Sequence, residues 1–256
     1  MDLGALLDGQ AVFITGASSG IGEHLARLCA GAGAKVAIAA RRTDRLHELA
    51  TELMAAGARA VEPLALDVTD AEAVAAALKV ASTAFGGLDV VVNNAGIAKT
   101  RAALDLAPED FDAVLGTNLR GAWLMSTEAA RLWRAAGRGG AIVNVASILG
   151  LRVAGGVGPY AVSKAGLIQM TRTLALEWAR YGIRVNALAP GYVETPLNAA
   201  FFATPAGEAL KARIPMRRIG APEDLDGPFL LLATSASRFM TGAVLAVDGG
   251  HLVSSL

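Results

Sequence analysis

The chain has 256 residues, 54% hydrophobic and 18% charged, and its 23 basic and 23 acidic side chains cancel to a net charge of +0. This composition excludes an intrinsically disordered chain, and the balanced charge leaves no electrostatic case for a nucleic-acid or anionic-membrane partner. No apolar run approaches the roughly 18 residues of a membrane span, and the lone Cys29 forbids an intrachain disulfide, which fits a reducing, cytoplasmic setting.

The first eight residues, Met1 to Asp8, carry acids and no basic run, which argues against a secretory leader. Gln10 to Thr15 predicts a short buried strand. It runs into Gly16-Ala17-Ser18-Ser19-Gly20-Ile21-Gly22, and a helical pattern over Glu23 to Ala32 follows, with Cys29 in its apolar positions. Strand, glycine turn and helix start, in that order, form the context of a dinucleotide-binding loop. Gly16 permits a tight turn, Gly20 lets the backbone approach a pyrophosphate, and Gly22 lets the helix pack against the strand. Ser18, Ser19 and the free N–H groups of the helix start would hold the phosphate oxygens. The spacing is Gly-x-x-x-Gly-x-Gly rather than Gly-x-Gly-x-x-Gly, and a plain structural turn is the alternative.

Ala34 to Ala40 predicts the second strand. An acid at its end would bond the ribose 2′-OH of NAD. Ala40, Arg41 and Arg42 stand there instead, which favours NADP(H) over NAD(H), because a guanidinium pairs with a 2′-phosphate; two solvated arginines are the alternative. Thr43 is the expected cap of a helix through Leu46, Leu49, Leu53 and Met54 that ends at Gly57. Ala60 to Leu66 is a third strand, with Asp67-Val68 at its C-terminal edge, where ligands bind in such sheets. Thr69 or Asp70 starts a helix ending near Phe85-Gly86-Gly87.

Leu88 to Val92 suits a central parallel strand buried on both faces. Asn93-Asn94-Ala95-Gly96 leaves it: the small residues admit a cofactor close to the backbone, and the amides hold neighbouring strands. Pro108 at a helix N1 position, followed by Glu109 and Asp110, begins a long helix. Asn118 within it is a poor mid-helix choice and predicts a purposeful kink, a surface Asn being the alternative. Ala141 to Ala146 is a strand ending at Ser147. A Gly-rich link, 150–158, leads to a helix from Pro159 to about Tyr181. On that helix Tyr160 and Lys164 lie one above the other. A nearby ammonium lowers a phenol's pKa from its usual value of about 10, so the pair is a tunable proton donor or acceptor, unless it is merely a surface pair. The Ser147 hydroxyl can point into the same space. The stripe Leu167, Ile168, Met170, Leu174, Leu176 and Trp178 suits core or subunit interface. Ile183 to Ala189 is a sixth strand, broken by Pro190-Gly191. Residues 192–220, including the apolar, Pro-punctuated stretch Leu197 to Gly220, read as a mobile substrate lid with short helices. A helix from Pro222 to Ala233 and a strand from Ala243 to Val247 close the sheet. No composition shift marks a second domain, so residues 1–256 read as one. His24, His47 and His251 are scattered and suggest no metal site.

Thr15 to Gly22, Asn93 to Gly96, Asn118, Ser147, Tyr160, Lys164, Pro190-Gly191 and Asp248-Gly249-Gly250 occur in that order over nearly the whole chain. Together they resemble the short-chain dehydrogenase/reductase family, in its short one-domain subgroup. The resemblance implies an α/β fold: a Rossmann-type doubly wound sandwich whose seven-stranded parallel sheet carries helices on both faces. It implies that Tyr160 is the general acid or base, that Ser147 bonds the substrate oxygen, that Lys164 holds the nicotinamide ribose and lowers the Tyr160 pKa, and that Asn118 positions a relay water. By the same likeness Asp67 and Val68 flank the adenine, and Asn94, Ala95 and Gly96 back the ribose. Val193 and Thr195 meet the carboxamide and phosphates, and the chain forms a homotetramer.

The expected activity is NADP(H)-dependent interconversion of a small-molecule carbonyl and a secondary alcohol. Reduction of a 3-oxoacyl thioester, polyol or sugar oxidation, and a non-catalytic nucleotide sensor are the alternatives. Leu149, Val153, Tyr192, Phe201 and Phe202 are the expected substrate wall and would favour an apolar ketone over a sugar. Arg152 either pairs with a carboxylate or phosphate or stays solvated. Trp123, Leu132, Trp133 and Trp178 are candidates for subunit contacts or core.

Overall fold

The computed structural model describes residues 6–196 and 198–254. The start of the acidic N-terminal stretch (1–5) and Leu197, where the apolar lid stretch begins, lie outside the described residues. Seven parallel strands form one sheet: β1 (Ala11–Thr15), β2 (Lys35–Ala40), β3 (Ala60–Ala65), β4 (Val90–Asn93), β5 (Gly140–Val145), β6 (Ile183–Pro190) and β7 (Val244–Val247), in the spatial order β3-β2-β1-β4-β5-β6-β7. All seven expected strands are present, with ends shifted by one or two residues. Gln10 stays out of β1, and β4 takes in Asn93, which sits opposite Asn144 of β5.

Every residue of β1 is buried, and alternation along the strand divides the core in two, as parallel crossovers require. Val12 and Ile14 face the helices α1 (Gly20–Gly31), α2 (Thr43–Ala55) and α9 (Asp226–Ala233), meeting Leu25, Cys29, Leu53 and Phe229. Phe13 faces the other layer, α3 (Ala71–Phe85), α5 (Ala122–Ala135) and α6 (Gly158–Trp178), meeting Leu78, Met125, Trp133 and Leu167. Each such large side chain contributes about 1.5–3 kcal/mol by leaving water. The Trp133 indole N–H also donates to the Leu88 carbonyl at 2.7 Å, so this tryptophan is core rather than a subunit contact. Trp123 is 46% exposed, and Leu176, expected in the apolar stripe of α6, is 84% exposed.

Local chemistry sets the helix starts. The Asp70 carboxylate accepts from the Glu72 and Ala73 N–H groups and caps α3. Thr43 is not a cap: Arg42 holds the N-cap position of α2, and its side chain is engaged elsewhere. Pro108 opens α4 (Pro108–Leu115) as expected. Between α4 and α5 the chain makes a π-helical turn over Gly116–Gly121, and this is the kink expected at Asn118. After β6 come two short helices, α7 (Ala199–Phe202) and α8 (Pro205–Lys211). No helix among the described residues is long and apolar enough to cross a membrane.

Candidate active site

Strand order reverses direction at β1, with β2 on one side and β4 on the other, and ligands bind at the C-terminal ends of strands flanking such a switch. A cleft of about 620 Å³ opens there. It is lined by Gly16, Ser18, Ser19, Gly20 and Ile21 after β1, by Arg41 and Arg42 after β2, and by Asp67 and Val68 after β3. Asn94, Ala95 and Gly96 after β4, Tyr160 on α6, and Gly191, Tyr192, Val193 and Thr195 after β6 complete it. Ile97, Thr117 and Asn198, which the sequence reading did not single out, also line it.

The glycines have distinct physical reasons. Gly16 has φ 67° and Gly20 φ 59°, conformations that disfavour side chains. Gly22 does not line the cleft. A Cβ there would stand 2.3 Å from both the Gly16 carbonyl oxygen and Asn94 Nδ2, so it holds α1 tight beneath the loop. Asn94 ties loop to sheet: its Nδ2 donates to the Thr15 and Gly16 carbonyls at 3.0 and 3.2 Å, and its N–H donates to Thr15 Oγ1. Asn93 turns inward. Its Nδ2 donates to Ser126 Oγ and to Asn144 Oδ1, both at 2.8 Å, and Asn144 Nδ2 donates to Thr171 Oγ1 at 2.8 Å. The expected role of these amides as inter-strand ties is what the geometry displays.

Arg42 reaches back over the loop. Its Nε and Nη2 donate to Ser18 Oγ at 3.2 and 2.9 Å, and Nη2 donates to Ser19 Oγ at 2.7 Å. Arg41 is exposed and close enough to Asp67 to help hold that carboxyl below its usual range, after the larger effect of the Thr69 N–H and hydroxyl.

The Tyr160, Ser147 and Lys164 side chains converge at the same end of the sheet. Ser147 ends the β5 edge, its Oγ accepting from the Leu149 N–H at 3.1 Å. Burial raises the Tyr160 phenol above its ordinary pKa, while a hydrogen bond with Ser147 pulls it down and the neighbouring Tyr192 pushes it up. Lys164 Nζ lies 5.5 Å from the Tyr160 ring centroid and donates to the Val145 carbonyl at 2.7 Å. Burial lowers the lysine itself to about 8. The expected depression of the phenol by the ammonium is not found here: desolvation acts on both groups, and each is pushed toward its neutral form.

Asn118 is buried, and its side chain is nearly saturated. Oδ1 accepts from the Ile97 N–H at 2.8 Å, and Nδ2 donates to the Ile97 carbonyl and to Ser163 Oγ at 2.9 and 3.0 Å. Ser163 Oγ donates in turn to the Tyr160 carbonyl at 2.7 Å. A Cβ placed on Gly96 would lie 3.4 Å from Asn118 Oδ1 and 3.7 Å from Lys164 Nζ, so all three groups border the same small space.

The expected substrate wall is only partly assembled. Tyr192 lines the cleft, and Phe202, buried, packs edge-on to it at 6.3 Å between centroids. Phe201 is 47% exposed and Leu149 half-buried. Val153 is 87% exposed and is not part of the cleft wall; the turns after Ser147 carry it outward. Arg152 is neither solvated nor free, because it donates to the His251 carbonyl. Pro190 is the last residue of β6 and does not line the cleft, whereas Gly191 does. Among the described residues no group of His, Cys, Asp and Glu could hold a metal ion.

A doubly wound parallel sheet with a glycine loop and a Tyr–Lys–Ser cluster at its switch point defines an oxidoreductase acting on CH–OH groups. The chain belongs to the short-chain dehydrogenase/reductase family: the family model described as enoyl-(acyl carrier protein) reductase matches residues 16–251. It is 39% identical, over 97% of its length and 99% of the relative's, to the L-rhamnose 1-dehydrogenase (NAD(P)(+)) of Azotobacter vinelandii. It is 38% identical, over 96% of its length and 99% of the relative's, to the 3-oxoacyl-[acyl-carrier-protein] reductase of Thermotoga maritima. A Beutenbergia cavernae structure, assigned as an NAD(P)-dependent gluconate 5-dehydrogenase with NADP at low occupancy, superposes with a TM-score of 0.91. It is 40% identical, over 98% of this chain and all (100%) of that one.

Proposed function

We propose that this enzyme is an NADP(H)-dependent reductase of a carbonyl to a secondary alcohol, with Tyr160 as general acid and, in reverse, general base. The observation that carries this reading is the convergence of Ser147, Tyr160 and Lys164, with Lys164 Nζ 5.5 Å from the Tyr160 ring centroid, at the same sheet end as the glycine loop. The loop's open N–H groups, Ser18, Ser19 and Gly20 fit the diphosphate of a dinucleotide, and the free edge of Arg42 fits a 2′-phosphate. Asp67 and Val68 would flank its adenine, and Asn94, Ala95, Gly96, Gly191, Val193 and Thr195 would bound the rest. When bound, this cofactor supplies or accepts the hydride.

The residues of the chain handle the oxygen and the proton. Ser147 donates to the substrate oxygen as negative charge builds there. The raised pKa of Tyr160 keeps its hydroxyl protonated through neutral pH, which suits an acid that protonates the developing alkoxide. Lys164, lowered to about 8, exchanges a proton readily in that range and refills the phenol. Asn118 fixes the Ile97 backbone against Ser163 and the Tyr160 turn, and the remaining acceptor capacity of its Oδ1, facing Lys164 beside Gly96, suits a relay water.

With Val153 turned outward, the wall keeps Tyr192 and Phe202 and loses part of the apolar lining expected for a simple ketone. A polar-substituted substrate fits better, in keeping with relatives named for rhamnose and gluconate. We read residues 1–256 as one cytoplasmic catalytic domain, with 192–220 as the substrate lid. We also read it as a homotetramer, supported by the exposed Trp123, Leu176 and Phe239; light scattering tests the tetramer. Turnover of a panel of ketones and polyols, followed by NADPH absorbance in the wild type and in Tyr160→Phe, tests the activity. A fully active Tyr160→Phe enzyme would refute the mechanism.

A further inference from the structure

Asn198 lines the cleft and is half-buried there. Its side-chain amide grips one stretch of backbone at two points. Oδ1 accepts from the Thr195 N–H at 2.7 Å, and Nδ2 donates to the Val193 carbonyl at 2.9 Å. One amide thus pins a donor and an acceptor two residues apart, both on residues of the cleft wall. The backbone carbonyl of Asn198 accepts in turn from the Phe201 and Phe202 N–H groups at 3.0 and 3.3 Å, so the brace ends where the lid helix α7 begins.

The other side of the same stretch is tied to the end of the lid. Val193 pairs with Gly220 in a parallel bridge. The Gly220 N–H donates to the Tyr192 carbonyl at 2.9 Å, and the Glu194 N–H donates to the Gly220 carbonyl at 2.8 Å. Such a bridge uses groups of the residues flanking Val193, so the N–H and carbonyl of Val193 itself turn to the opposite side. Asn198 holds that carbonyl. Among the described residues the Val193 N–H donates to no group, and the Thr195 hydroxyl bonds to none. The Thr195 methyl stands over the glycine loop, 3.6 Å from the place of a Cβ on Gly20.

What the brace leaves open has a definite chemistry. A backbone N–H is a donor, and a hydroxyl two residues on accepts as well as donates. The pair matches a primary carboxamide, whose oxygen accepts and whose NH2 donates. The nicotinamide end of a dinucleotide carries that group.

We infer that Asn198 is a positioning residue for the nicotinamide carboxamide: it holds the Val193 N–H and the Thr195 hydroxyl in place for that group and touches no reacting atom. This deepens the proposed function and rests on its reading of the cleft as a dinucleotide site. The test compares calorimetric binding of NADP+ with that of 2′-phospho-ADP-ribose, the same molecule without its nicotinamide. Asn198→Ala should weaken NADP+ about tenfold, the scale of one lost hydrogen bond, and change the fragment less than about twofold. Equal losses for the two ligands, no loss for either, or a variant that binds neither overturns the positioning role. Thr195→Val supplies a second measurement. There the hydroxyl is already absent, so adding Asn198→Ala should cost NADP+ less than about threefold more, as for residues that act through one another. A full second tenfold loss overturns the role as well. A wild-type enzyme that binds neither ligand overturns the dinucleotide reading itself, and the role of Asn198 with it.

Discussion

Arg42→Ala should turn a cofactor preference into indifference. The guanidinium carries five N–H donors. Nε and Nη2 are spent on Ser18 and Ser19, and Nη1 donates to no group among the described residues. Two charge-assisted bonds to a 2′-phosphate are thus available. Such bonds contribute about 1.5–3 kcal/mol each when protected. Arg42 is exposed, so the pair together is assigned about 1.5–3 kcal/mol, which is roughly 10- to 100-fold in affinity. Fluorescence titration should therefore show NADPH binding weakened by that factor in Arg42→Ala, with NADH changed less than about twofold. The competing possibility is that Arg42 merely braces the serines for the diphosphate, which both cofactors share. Parallel losses for NADPH and NADH would establish that and refute the 2′-phosphate assignment.

Tyr160→Phe removes a proton and little volume; kcat is expected to fall about 10²–10⁴-fold with cofactor affinity unchanged, and a shared loss of both would point to misfolding. Lys164, taken by burial from 10.5 to about 8, makes the folded chain release its proton before the unfolded chain does. Folding then gains stability as pH rises from about 8 to 10.5, and below 8 the buried ammonium costs about 3 kcal/mol. Lys164→Met should accordingly be more stable than wild type in urea at pH 7, less the lost bond to Val145, and that advantage should shrink by pH 10; a difference independent of pH contradicts this. Gly22→Ala drives a methyl onto the Gly16 carbonyl and should cost about 1–3 kcal/mol, an idea that an unchanged urea midpoint would end.

Periodicity and glycine placement made the sheet legible, because a strand buried on both faces reads as an unbroken apolar run. Val36 to Ala40 and Val90 to Val92 are examples. Asn118 announced its own irregularity, since a polar β-turn former inside a helix needs a reason. Contacts across long separations were not legible. Nothing near Asn93 indicates that Ser126, 33 residues on, and Asn144, 51 residues on, complete its bonding. Val153 looked like pocket lining by proximity to Ser147, but two turns intervene and send it to solvent. Lys164 was expected to lower the pKa of its helical neighbour; its amine lies over that ring and also donates to the Val145 carbonyl of β5, a contact that helical spacing does not reveal.

The π-helical turn at Gly116–Gly121 has an effect on everything downstream of it. A helical residue advances the chain by about 100°, and the wider π turn spreads one more residue over the same rotation, so it absorbs that residue without turning α5 relative to α4. The apolar side of α4, marked by Val114, and that of α5, marked by Met125, Ala129 and Trp133, therefore keep to the same protein interior across the inserted residue. Tightening those six residues into ordinary α-helix with none removed would turn α5 by roughly 100° and carry Trp133 away from the side that Val114 marks.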